Sequence, residues 1–200
     1  MDKLAEAFVA AGYRVNNVDY PSRQLPIEEL APLAVNTGLE GCGQAQTIHF
    51  VTHSLGGILI RYYLEHNSIA NLGRVVMLAP PNQGSEVVDT IGELPGFQLL
   101  NGPAGDQLGT GADSIPRQLG PVEFELGVIA GSDTFNPILS LYLPNPDDGK
   151  VSVASTRVDG MSDFIVLPYT HTFMMQAEEV HSQAIEFIRH GRFNSPGPWR

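Results

Sequence analysis

The apolar and polar positions change period abruptly at one point in this chain. Ile48 to Val51 form a short apolar run suited to a strand crossing the middle of a sheet. Directly afterwards Leu55, Ile58, Leu59, Tyr62 and His66 recur at the spacing of one helical face. Ser54 therefore lies on a strand-to-helix turn. Upstream, Leu4, Phe8 and Ala11 make one stripe of a helix from Asp2 to Ala11, with Asp2 as its candidate N-cap and Gly12 as its stop. Tyr13 to Tyr20 reads as a strand ended by Pro21, and Glu28 to Val35 as a helix with Leu30, Leu33 and Ala34 inward. Asn36 to Gln46 reads as a Gly-rich connection.

Downstream, Arg74 to Ala79 is a further apolar strand, followed by a Gly- and Pro-rich stretch to about Pro121 with apolar islands such as Phe97-Gln98-Leu99-Leu100. Val122 to Ala130 is a fourth strand, and Asp163 to Leu167 a fifth. Between them an irregular stretch carries the apolar segment Ile138-Leu139-Ser140-Leu141-Tyr142-Leu143. Val180, Ala184, Phe187 and Ile188 mark a closing helix capped by Gly191, with a loosely held tail from Arg192 to Arg200.

Strands alternating with helices predict an α/β fold, a mostly parallel sheet of about five strands with helices on both faces. The chain is expected to be one domain over residues 1–200, with a loop-rich insertion at about 82–121 covering the active site and forming part of a pocket. The alternative for that insertion is a solvated linker. In such sheets active sites lie at the carboxyl ends of the strands.

Composition narrows the partners. A net charge of −11 over 200 residues disfavours nucleic acid and anionic membranes. Cys42 is the only cysteine, so an internal disulfide is excluded. No apolar run reaches the roughly 20 residues of a membrane helix, and no basic segment followed by an apolar one opens the chain. A soluble protein without an export signal is expected, cytoplasmic if Met1 is the true start. Neither a phosphate-binding glycine loop nor a metal-ligand cluster is found, so no cofactor and no metal is expected.

The chemistry concentrates at Ser54. A tight strand-to-helix turn needs small neighbours, here Thr52 and Gly56, and Gly57 lets the helix start close to the sheet. This is a Gly-x-Ser-x-Gly nucleophile elbow with Thr in the first position. A serine hydroxyl needs a base to take its proton and a carboxylate to hold that base. His49 lies in the elbow strand, His53 is the variable residue beside the serine, His66 is in the following helix, and His181 and His190 belong to the last helix. Only His171, in Pro168-Tyr169-Thr170-His171-Thr172, follows a strand in a loop; capping the next helix is its alternative role. For the carboxylate, Asp147 and Asp148 sit between the fourth and fifth strands in an Asp-Gly turn, with Asp133 and Asp163 as rivals.

Thr52-His53-Ser54-Leu55-Gly56-Gly57, Ala79-Pro80-Pro81-Asn82-Gln83-Gly84-Ser85, Asp148-Gly149-Lys150-Val151 and His171-Thr172 together resemble the α/β-hydrolase superfamily, close to bacterial lipases and carboxylesterases. The resemblance covers nearly the whole chain. It favours Asp148 over Asp147, because such lipases commonly take their acid from an Asp-Gly-Leu-Val-like segment. It implies an esterase or lipase acting on a small-molecule ester or lipid through an acyl-enzyme, with Ser54 as nucleophile, His171 as base, Asp148 as its partner and the Leu55 backbone N–H as oxyanion donor. An acyltransferase with the same triad and a weakly active or non-catalytic binding protein are the alternatives. The family's His-Gly oxyanion loop and the strand before it have no counterpart ahead of the elbow. Two accounts follow from that: an N-terminally truncated hydrolase, or a reduced sheet in which Tyr13–Tyr20 and Ile48–Val51 pair directly, with a homo-oligomer covering any gap.

Overall fold

A computed structural model of the chain describes residues 1–91, 97–134, 140 and 143–194. Its centre is a sheet of four parallel strands in sequential order: β1 (Ile48–His53), β2 (Leu72–Leu78), β3 (Leu126–Gly131) and β4 (Asp163–Leu167). The helices are α1 (Asp2–Ala10), α2 (Ile27–Cys42), α3 (Leu55–His66), α4 (Glu86–Ile91), α5 (Phe97–Asp106), α6 (Ile115–Gln118) and α7 (Glu178–His190). None of the described helices is long and apolar enough to cross a membrane.

Side-chain alternation explains why β2, β3 and β4 carry continuous apolar runs at residues 75–78, 126–130 and 164–167. Val75 and Met77 of β2 face a core built with Ile27, Leu30 and Ala31 of α2 and Ile58 and Leu59 of α3. Val76 and Leu78 point the other way, to a second core with Leu4 and Phe8 of α1 and Val180, Ala184, Phe187 and Ile188 of α7. A strand covered on both faces needs apolar residues at every position. All four closing-helix residues named from the sequence are thus buried, and Gly191 ends α7 at φ 71° in the left-handed region that favours glycine.

Three expectations need correction. Tyr13–Tyr20 is not a strand: β1 is the sheet edge and, among the described residues, pairs with β2 alone. The stretch is tied elsewhere, since Asn16 donates its side-chain N–H to the Thr37 and Gly38 carbonyls of α2 and Asn17 donates to Asp2 Oδ1. Tyr13–Tyr20 and Ile48–Val51 do not pair directly, and residues of both segments line cavities of about 310 and 280 Å³. In consequence His49 to His53 are only half-buried, although their sequence suits a central strand. The second correction concerns Asn36–Gln46, which is helical as far as Cys42. Gly41 serves close approach: a Cβ there would stand 2.0 Å from the Asn16 side chain. Third, Asp2 does not cap α1; Met1 is the N-cap residue and Asp2 lies in the first turn.

The 82–121 stretch carries α4, α5 and α6, and Gln107 within it accepts the Ile27 N–H at 2.7 Å, capping α2. Of the tail, Phe193 is buried against Phe187, with ring centroids 5.1 Å apart. Residues 195–200 and most of the apolar segment around 138–143 lie outside the described residues.

Candidate active site

Four parallel strands bring four loops to one edge of the sheet, and the elbow is the first of them. Ser54 has φ 52° and ψ −122°, a strained backbone for a residue with a side chain. Two hydrogen bonds hold it there: its N–H donates to the Leu78 carbonyl at 2.9 Å, and its carbonyl accepts from Gly57 N at 2.9 Å. A Cβ on Gly56 would sit 3.4 Å from Thr52 Cβ and 3.5 Å from the Tyr20 hydroxyl. One on Gly57 would meet Pro80 Cβ at 2.9 Å. The tight approach is thus at Gly57, whereas Gly56 and Thr52 pack at ordinary contact distance.

His171 lies in the loop after β4, four residues beyond Leu167, and is 4% exposed. Its Nε2 is 2.9 Å from Ser54 Oγ, and its Nδ1 is 2.8 Å from Asp148 Oδ2. A carboxylate can only accept, so Nδ1 carries the ring proton and Nε2 accepts the Ser54 hydroxyl. The other carboxylate oxygen of Asp148 accepts the N–H groups of Lys150 and Val151 at 3.0 and 2.8 Å. Ser85, at the start of the 82–121 stretch, donates its hydroxyl to the Lys150 carbonyl at 3.0 Å and so pins this loop.

The rival carboxylates face elsewhere. Asp147 accepts from the Ser140 hydroxyl and from Gly149 N. Asp133 is exposed and bonds the N–H of its own neighbour Thr134. Asp163 holds the N–H groups of Phe164 and Phe193.

Leu55 opens α3, where the first N–H groups of a helix have no partner within it and the positive end of the helix dipole attracts negative charge. A cavity of about 430 Å³ is lined by Arg61, Glu65, Ile69 and Phe124 at the other end of α3 and does not involve Ser54. The 280 Å³ cavity reaches the elbow from the β1 edge, where Thr52, His53, Gly56 and Tyr20 line it.

Three residues that support the site escape a reading of motifs. A Cβ on Gly131, at the end of β3, would lie 2.4 Å from the Tyr169 carbonyl oxygen and 2.8 Å from Asp148 Cβ, so the loops carrying Asp148 and His171 close over this glycine. Arg61 of α3, 4% exposed, donates to the Asn82 carbonyl and Oδ1 and to the carbonyls of Leu119 and Gly120. Its burial pushes the guanidinium pKa down to about 10. His53, set aside in the sequence as the variable elbow position, has its Nε2 2.9 Å from the His171 carbonyl oxygen. Burial, and next the neighbouring His171, lower the His53 pKa to about 3. A glycine ending an apolar strand and an arginine on a helix's inner face were the available signals for the first two.

No family model matches the chain, and no curated protein matches its sequence. Solved structures do resemble it in fold. The mature Bacillus licheniformis lipase BlEst2 superposes with a TM-score of 0.73 at 18% identity, over 94% of this chain and 83% of the lipase. The phospholipase PlaB from Legionella pneumophila gives 0.69 at 18% identity, over 94% of this chain and 55% of that protein. A metagenomic carboxyl esterase, MGS0156, gives 0.61 at 18% identity, over 86% of this chain and 58% of the esterase. The chain thus spans little more than half the length of the last two. The chain shares its fold with these three proteins, built here on a sheet of four parallel strands.

Proposed function

We propose that this protein is a serine hydrolase that cleaves carboxylic esters through an acyl-enzyme. The observation carrying the proposal is the relay of hydrogen bonds from Ser54 Oγ to His171 Nε2 and from His171 Nδ1 to Asp148 Oδ2. The lipase, phospholipase and carboxyl esterase among the structures of like fold support it.

His171 takes the Ser54 proton as the serine oxygen attacks the ester carbonyl. Asp148 keeps the imidazole in the required tautomer and balances the positive charge that forms. The oxygen of the tetrahedral intermediate, now negative, accepts the Leu55 N–H at the amino end of α3. His171 then gives its proton to the departing alcohol, the C–O bond breaks, and an acyl group remains on Ser54. Water repeats the cycle and releases the acid.

Hydrolysis of a short-chain chromogenic ester by the parent protein and by Ser54→Ala, with labelling by a fluorophosphonate, tests this reading. Turnover and labelling that both vanish with Ser54 support it. A series of acyl lengths then separates an esterase from a lipase, and product analysis with an added alcohol identifies an acyltransferase.

A further inference from the structure

Resting on that hydrolase reading, we infer that His53 is a positioning residue whose Nε2–H fastens the His171 carbonyl to the elbow and so keeps the base in line with Ser54. His53 is the last residue of β1 and precedes the nucleophile directly, whereas His171 belongs to a loop 118 residues later. The bond of 2.9 Å between them is a direct tie between the strand presenting the serine and the loop presenting the base.

The proton position follows from chemistry. A carbonyl only accepts, so His53 must carry its proton on Nε2. With its pKa lowered to about 3, first by burial and then by His171, the ring stays neutral over the ordinary working range. Neutrality matters because the two imidazoles stand 4.7 Å apart, tilted by 50°. A charged His53 would oppose the positive charge that His171 gains during acyl transfer; a neutral one does not.

The His171 peptide is thus held on both sides. Its N–H donates to the Asp148 carbonyl at 2.9 Å, and its carbonyl accepts from His53. Together these bonds fix the backbone from which the imidazole projects. The side-chain bonds to Ser54 and Asp148 then need no search of loop conformations. A small displacement of a base is costly to rate, since proton transfer requires hydrogen-bond distance in the transition state.

Two substitutions separate this role from simple packing. In His53→Leu the ring is replaced by an apolar side chain with no donor. In His53→Gln the side-chain amide nitrogen stands as many bonds from Cβ as Nε2 does and restores the donor. With both proteins folded by thermal melt, ester hydrolysis by His53→Leu should fall about 10- to 100-fold in kcat, with KM within about threefold. His53→Gln should recover most of that loss. Full kcat in His53→Leu, or equal impairment of the two variants, overturns the inference. A measurement that needs no turnover keeps it distinct from the hydrolase reading: the imidazole 15N spectrum of the parent protein. A neutral His53 with its proton on Nε2 supports the tie whatever the protein hydrolyses, and a proton on Nδ1 refutes it. Absence of parent turnover and labelling would instead sink the hydrolase reading.

Discussion

Asp148 and His171 are joined twice, once through the carboxylate and ring Nδ1 at 2.8 Å and once through the Asp148 carbonyl and the His171 backbone N–H at 2.9 Å. The second bond survives any change of the Asp148 side chain. Asp148→Asn should therefore fold normally and keep the loop in place, while the amide favours the wrong imidazole tautomer. Ester turnover is expected to drop by about a thousandfold to ten-thousandfold. Asp147→Asn, whose side chain faces Ser140 and Gly149, should lose less than about tenfold. Steady-state kinetics on both variants check the assignment, and the reverse order would transfer the acid role to Asp147.

Gly131 limits how closely the loops carrying Asp148 and His171 meet. An alanine there would press on the Tyr169 carbonyl and on Asp148 Cβ, both backbone or near-backbone atoms that cannot swing away. Gly131→Ala should cost about 1–3 kcal/mol in urea-induced unfolding. It should also lower turnover, because the loop that moves carries Asp148.

Stability at mildly acidic pH should depend on His53. Its folded pKa of about 3 lies below the ordinary 6.5, so between those values the unfolded chain binds the proton and the folded chain does not. Stability is therefore unaffected by this group above about pH 6.5 and falls as pH drops through the window, by at most about 1.4 kcal/mol per pH unit. Unfolding free energies measured at pH 7 and pH 4.5 should differ less in His53→Gln than in the parent. An unchanged pH slope would contradict a neutral His53 ring.

Arg61 ties α3 to the segment after β2 and to residues 119–120. Arg61→Leu leaves the Asn82, Leu119 and Gly120 carbonyls without their donor, and a destabilisation of about 3 kcal/mol or more is expected by chemical denaturation. Arg61→Lys should rescue little, because one ammonium does not reproduce a fork that spans Asn82 and the 119–120 carbonyls.

Local signals carried much of this architecture. The change of period at Ser54, the unbroken apolar runs of β2, β3 and β4 and the stripe of α7 each reflect burial that the chain itself encodes. That Ser54, Asp148 and His171 come together was foreseeable because each lies in a segment after a strand and parallel strands end on one side. Choosing Asp148 over Asp147 needed the family resemblance, since adjacent residues in a turn differ only in where the folded loop points them. Tyr13–Tyr20 misled because alternation marks an extended, half-covered segment whether or not a partner strand pairs with it. Gly38 and Gly41 looked like a connection, yet both lie within α2, and the missing side chain of Gly41 makes room for Asn16. His53 was invisible because its partner is a backbone carbonyl 118 residues away, which leaves no trace in spacing.

The central claim rests on Ser54, and one measurement addresses it most directly: the rate of short-chain ester hydrolysis by the purified protein and by Ser54→Ala, with fluorophosphonate labelling of both. The parent should turn over the ester and take up one label per chain, and Ser54→Ala should lose about a thousandfold or more in rate and all labelling. Equal rates for the two proteins with neither labelled would contradict the account.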